Sequence, residues 1–124
     1  MQIRRLDRES LTHKYGIDAQ LLLPWDTVDA PFRGAWCILR PGVTSTPHSH
    51  PEHEIFIAMS GSAAVLVDGE RQPFVPGDVA HLPPGSTHQL ANDGDEDFEY
   101  YAIWWNKEMS SQCWAGHEQE FASG

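Results

Sequence analysis

Basic residues are scarce in this 124-residue chain: eight Lys and Arg stand against eighteen Asp and Glu, a formal net charge of −10. With no basic run anywhere, a surface that tracks phosphates has nothing to be built from, so nucleic acid drops out as a partner. Cysteine is equally thin. Cys37 and Cys113 are widely spaced and have no CxxC company, which excludes a thiolate metal site or a disulfide framework and leaves both expected as reduced thiols. Long apolar runs are missing too, and the opening Met1 to Glu9 is charged rather than apolar, so neither a membrane span nor a secretory leader is expected and a cytoplasmic location is. No helical periodicity of useful length and no internal repeat is present. At this length one domain, residues 1–124, with one site is expected.

What the chain does have is a close succession of short strand-like runs separated by turn signals. Ala35 to Leu39 ends at Pro41-Gly42, and Glu54 to Met59 runs into a tight turn at Ser60-Gly61-Ser62. Ala63 to Val67 and Glu70 to Val75 flank Asp68-Gly69, a two-residue hairpin signal. Val79 to Leu82, His88 to Asn92 and the strongly strand-like Phe98 to Trp105 complete the series. Such spacing indicates an all-β sandwich or barrel, with residues 35–105 as its core. Residues 1–30 read as an arm or edge strand, with Ser10 able to cap a short helical turn. Residues 106–124 form a polar tail carrying Trp114 and Phe121, two aromatics that need an apolar surface to cover.

The chemistry concentrates between Gly42 and Gly61. His48, His50 and Glu54 share one parity of an extended chain, where alternate side chains point the same way, so they can converge on a divalent metal. His53 has the opposite parity and reads as a surface or loop residue. Glu52 shares the ligand parity and can orient an imidazole from behind, although Pro51 disturbs the count. His81 is most simply a core residue with one hydrogen bond, and otherwise a group supporting a ligand from behind. For the pocket walls the candidates are Trp36, Phe56, Met59, Tyr101, and whichever of Trp104 and Trp105 faces inward, with Trp105 preferred. Arg33 and Arg40 flank the first core strand, and Arg40 is the candidate for gripping a substrate carboxylate.

Two ordered patterns add to this. Gly42, His48, His50, Glu54 and Gly61 fill the first motif of the cupin family without a gap, and Gly77, Pro83, Gly85, His88 and Asn92 fill the second. The chain therefore resembles a small metal-binding cupin. That resemblance implies a jelly-roll (double-stranded β-helix) barrel with His88 as fourth ligand beside His48, His50 and Glu54. The Pro83-Pro84-Gly85 turn gives a reason, since it can hand the chain to a facing wall. One divalent ion is implied, Fe2+ or Zn2+ first, with Mn2+, Ni2+ or Cu2+ compatible with the same donors. The function expected is an enzyme acting on a small polar substrate, an Fe(II)-type dioxygenase foremost. A non-oxidative zinc cupin is the alternative. Glu54 to Ala58, Gly77 to Gly85 and Phe98 to Trp105 look like the zinc cupin module of hydrazine-forming synthetases, which would require a separate synthetase partner here. A ligand-binding cupin without turnover is the third reading. The resemblance also implies a homodimer, to which Leu21 to Leu23 and the aromatic tail are suited.

Overall fold

The computed structural model describes residues 1–26 and 28–109, so the expectations placed on Cys113, Trp114 and Phe121 lie outside the described residues. Among those described, nine strands form two antiparallel sheets: β1 (Thr12–Lys14), β2 (Ile17–Leu21), β3 (Arg33–Leu39), β4 (His53–Ser60), β5 (Ala63–Val67), β6 (Glu70–Phe74), β7 (Val79–Leu82), β8 (His88–Ala91) and β9 (Phe98–Trp105). The larger sheet has the order β1-β2-β3-β9-β4-β7 and the smaller β6-β5-β8. This is the all-β jelly roll expected. No helix among the described residues is long and apolar enough to cross a membrane.

Strand alternation decides what each sheet buries. On β3 the inward set is Ala35, Cys37 and Leu39, on β4 Phe56 and Ala58, and on β9 Phe98, Tyr100 and Ala102, all in one buried cluster with Val65, Phe74, Leu82 and Leu90. Aromatic rings link the two sheets through this core. Phe74 meets Phe98 at 5.8 Å between centroids, Phe98 meets Tyr100 at 5.5 Å, and Tyr100 meets Phe56 at 4.9 Å.

Turns behave as their residues require in one case and unexpectedly in another. Asp68 and Gly69 both take positive φ, 49° and 86°, and join β5 to β6 as a two-residue hairpin with Val67 opposite Glu70. The Ser60-Gly61-Ser62 turn makes no hairpin: β4 belongs to the larger sheet and β5 to the smaller, so this turn is a corner that carries the chain across the barrel. Gly61 is needed there, because at φ 78° a Cβ would run into the backbone carbonyl of Asp97.

The N-terminal arm is more ordered than its sequence indicated. It forms the β1–β2 hairpin, which extends the larger sheet through β2 against β3, with Gln20 opposite Trp36. Residues 8–10 form a turn rather than a helix, with the Ser10 amide donating to the Asp7 carbonyl at 3.2 Å. Arg8 reaches over the sheet to Glu99 at 2.7 Å.

Candidate metal centre

His48 and His50 do not continue into β4 as one strand. The segment from Val43 to His48 lies antiparallel beside β8, with Ser45 and Leu90 joined by their backbones and His48 and His88 exchanging both backbone hydrogen bonds at 3.3 and 3.0 Å. The chain then crosses at Pro51-Glu52 and enters β4 at His53. His88 is therefore the cross-strand neighbour of His48 on the same wall, and Glu54 supplies the facing wall from the larger sheet. This reverses the expected arrangement, in which the first three residues shared a strand and His88 approached from opposite them. The physical reason is the bend at Pro51, which cannot donate to a ladder and ends the first segment.

The three imidazoles converge. One nitrogen from each of His48, His50 and His88 lies within 4.8 Å of the others, and together they can hold a metal ion. Ring centroids are 4.6 Å apart for His48 and His88, 5.1 Å for His50 and His88, and 5.4 Å for His48 and His50. Glu54, buried on the inner face of β4, brings Oε1 to 3.1 Å from His50 Nε2 and 3.2 Å from His88 Nε2.

Two observations test whether a metal suits these residues. His88 is 3% exposed, and neither of its ring nitrogens has a hydrogen-bond partner, since the approach of Glu54 falls outside bonding geometry. A buried imidazole in that condition loses its hydration without replacement, which an ion at Nε2 would make good. His50 is oriented as a ligand, because its Nδ1 lies 3.1 Å from the Glu52 backbone carbonyl, an acceptor that favours the proton there and turns Nε2 toward Glu54 Oε1 at 3.1 Å, where an ion could take both atoms. Burial first, then the neighbouring His88 and His50, hold His48 below its ordinary pKa, so it too favours the neutral ligating form. The donor set fits a borderline divalent ion such as zinc or iron.

Around the imidazoles the structure brings together some of the expected residues and separates others. Phe56 is where the sequence placed it, edge-on to His88 at 5.9 Å. Glu52 stands behind His50, chiefly through its backbone carbonyl. Trp104 packs against the core, while Trp105 is on the other face of the sheet, stacked on His53. Trp36 and Tyr101 also face outward, where they line a cavity of about 210 Å³ beneath the N-terminal arm with Arg4, Leu6 and Trp25. Met59 falls at the register shift between Ala58 and Ser60, where strand alternation is interrupted. Arg40 is committed elsewhere, with Nε 2.9 Å from Asp18 and Nη1 2.9 Å from Asp97, and Arg33 bonds the carbonyls of Ala30 and Phe32. His81 is exposed, not in the core.

One residue at the site carries no sequence motif. Tyr15 stacks on His48 at 4.6 Å and 10°, and its backbone takes a positive φ of 56°. A non-glycine residue in that region is strained, and here the stacking and the Thr46 amide bond to the Tyr15 carbonyl, 2.9 Å, hold it. The Tyr15-Gly16 turn was the only available signal. Cys37 lies in the buried core, where burial pushes its thiol up to about 12 and disfavours the reactive thiolate.

A cupin domain model matches residues 35–104, a stretch that begins within β3, ends within β9 and includes His48, His50, Glu54 and His88. This chain belongs to the cupin family. A solved cupin 2 conserved barrel domain protein from Salinispora arenicola is 52% identical, with a TM-score of 0.85 over 90% of this chain and 94% of its own. A glucose-6-phosphate isomerase of Pyrococcus horikoshii is 38% identical over 56 residues, 41% of this cupin but only 30% of the isomerase's length. An oxalate-binding protein of Thermotoga maritima is 26% identical over 99 residues, covering 79% of this cupin and 69% of that protein.

Proposed function

We propose that this cupin is a metal-dependent enzyme that holds one divalent ion on His48, His50 and His88, with Glu54 as fourth donor, and acts on a small polar substrate bearing two adjacent oxygens. The observation that carries this is the buried, unpartnered His88 at the meeting point of the other donors. The substrate class rests on what the relatives are named for. Oxalate and a sugar phosphate both present neighbouring oxygens, which chelate an ion with open positions. When bound, the ion supplies Lewis acidity or a place for a co-substrate beside the chelated oxygens.

The chain's own residues divide the remaining work narrowly. Of the other buried polar residues, Ser45 accepts from the Leu90 amide, Ser86 donates to the Pro83 carbonyl, and Asn92 is fully engaged with backbone. The Tyr100 phenol is pushed well above its ordinary pKa by burial. Glu54 is thus the one carboxylate among the described buried residues able to move a proton, and Phe56 and Trp104 exclude water around it. A site so poor in separate acids and bases favours chemistry centred on the ion, and an Fe(II)-dependent dioxygenase is the first reading. A zinc-dependent isomerisation, with Glu54 shuttling the proton, is the second, supported by the isomerase relative.

Metal-free protein reloaded with Fe2+ or Zn2+ and given 2-oxo acids, 2-hydroxy acids and sugar phosphates, with and without air, tests the proposal. Turnover that needs Fe2+ and air marks the first reading, and air-independent turnover with Zn2+ marks the second. In either case His88→Ala should weaken ion binding by more than about 100-fold. Full activity after chelation, or ion binding unchanged in His88→Ala, would overturn it.

A further inference from the structure

Tyr15 sits where its residue type is least at home. It occupies the turn of the β1–β2 hairpin at a positive φ of 56°, a conformation that glycine or asparagine adopts more readily, and 44% of its surface is exposed. The turn is also fixed against the segment that carries His48. The Thr46 amide donates to the Tyr15 carbonyl at 2.9 Å, and Gly16, itself at φ 78°, lies so close to the chain at Thr44 and Ser45 that a Cβ there would be in contact with both. Anchored in this way, the Tyr15 ring lies on the His48 ring at 4.6 Å and 10°, and the Lys14 ammonium stands over the Tyr15 ring at 5.0 Å.

We propose that Tyr15 is a positioning residue for the metal ion, its ring holding the His48 imidazole in the plane that ligation requires, so that the N-terminal arm completes a centre whose donors all lie in the barrel. The inference rests on the reading of His48, His50 and His88 as an ion site. Each imidazole of such a site needs something to fix its ring before the ion arrives, since a donor that turns freely loses that freedom on binding. His50 has the Glu52 carbonyl at Nδ1, and His88 is enclosed by the core with Phe56 edge-on to it. His48 is only half-buried and has Tyr15 on its face, so that tilting its imidazole would break the stack. Backbone strain persists where the surroundings over-determine it, and here it delivers an aromatic face to a ligand. Tyr15 lies outside both cupin motifs, so nothing in them supplies this contact.

Zn2+ affinity of the metal-free full chain, measured in competition with a chromophoric chelator, and the visible spectrum of the Co2+-loaded protein test this without reference to activity. Tyr15→Asn keeps a residue suited to positive φ and removes the ring. It should bind Zn2+ about 10-fold more weakly than wild type and give an altered Co2+ spectrum, whereas Tyr15→Phe, which keeps the ring, should match wild type in both. An unchanged Zn2+ affinity or an unchanged Co2+ spectrum in Tyr15→Asn would overturn the proposal, and so would equal losses in Tyr15→Phe and Tyr15→Asn. Wild-type protein that binds no ion overturns the ion-site reading itself, so the two failures are distinguishable. Tyr15 lies outside the core, and Tyr15→Gly, which relieves the same strain, is a second variant without the ring should Tyr15→Asn misfold. An unchanged circular dichroism spectrum of each metal-free variant establishes that the comparison is between folded proteins.

Discussion

Asn92 shows how much one side chain can secure in a protein of this size. It is 1% exposed, donates from Nδ2 to the carbonyls of Leu39 and Glu96 at 3.0 and 2.8 Å, and accepts at Oδ1 from the Gly94 amide at 3.0 Å. It thus ties the end of β3 to the loop between β8 and β9. Asn92→Ala strands two carbonyls and an amide in a buried corner and should lower the unfolding free energy by about 3 kcal/mol, measured by urea denaturation. A loss under about 1 kcal/mol would mean that water takes over those bonds. From the sequence, Asn92 was legible only as the last position of the second motif, because its burial depends on elements distant in the chain. The same limit explains the misplaced aromatics. Period-two alternation establishes that Trp104 and Trp105 face opposite ways and leaves open which is inside. The usable sign was Glu99: a carboxylate on β9 marks the solvent side, and Tyr101 and Trp105 share its parity.

Among elements, those with dense β-branched and aromatic content were legible nearly residue for residue, as β9 at Phe98–Trp105 and the Asp68-Gly69 hairpin show. The β1–β2 hairpin was not, because Thr12, His13 and Lys14 are polar, the strand has three residues, and Tyr15 takes a conformation that its type disfavours. The convergence of His48, His50 and His88 was legible from the motifs, while the placing of His48 beside β8 and of Glu54 on the other sheet was not, since pairing with β8 is a long-range fact. Charges now tether the hairpin. Hydrogen bonds from His13 and then Arg40 hold the Asp18 carboxyl below the usual carboxylate range, and Arg8, then Ser60, do the same for Glu99. Groups held low contribute stability at pH values above the ordinary carboxylate range and lose it as pH falls through their folded values. Asp18→Asn should therefore flatten the acid limb of a stability-against-pH curve. Its cost at neutral pH should stay below about 1 kcal/mol, since Asp18 and Arg40 retain contact with water. An acid limb identical to wild type would show that Asp18 keeps its ordinary pKa in the folded protein.

For the whole molecule, the two sheets and the chain crossings between them make a closed arrangement in which the inner donors come from three separate places: the segment beside β8, β8 itself, and β4. His48 and His88 are far apart in the sequence and meet as a bridge between two separate segments. An ion site assembled from such distant segments is expected to form late in folding. Closing so long a loop costs entropy before its contacts are gained, so an ion is not expected to nucleate folding. It is expected to bind the finished barrel and hold it shut. In stopped-flow experiments Zn2+ should leave the refolding rate unchanged and slow unfolding in proportion to ion saturation, whereas faster refolding would place the histidines together before the barrel closes. With refolding unchanged and unfolding slowed, the bridge between His48 and His88 would be the latch of the barrel, engaged at the end of assembly.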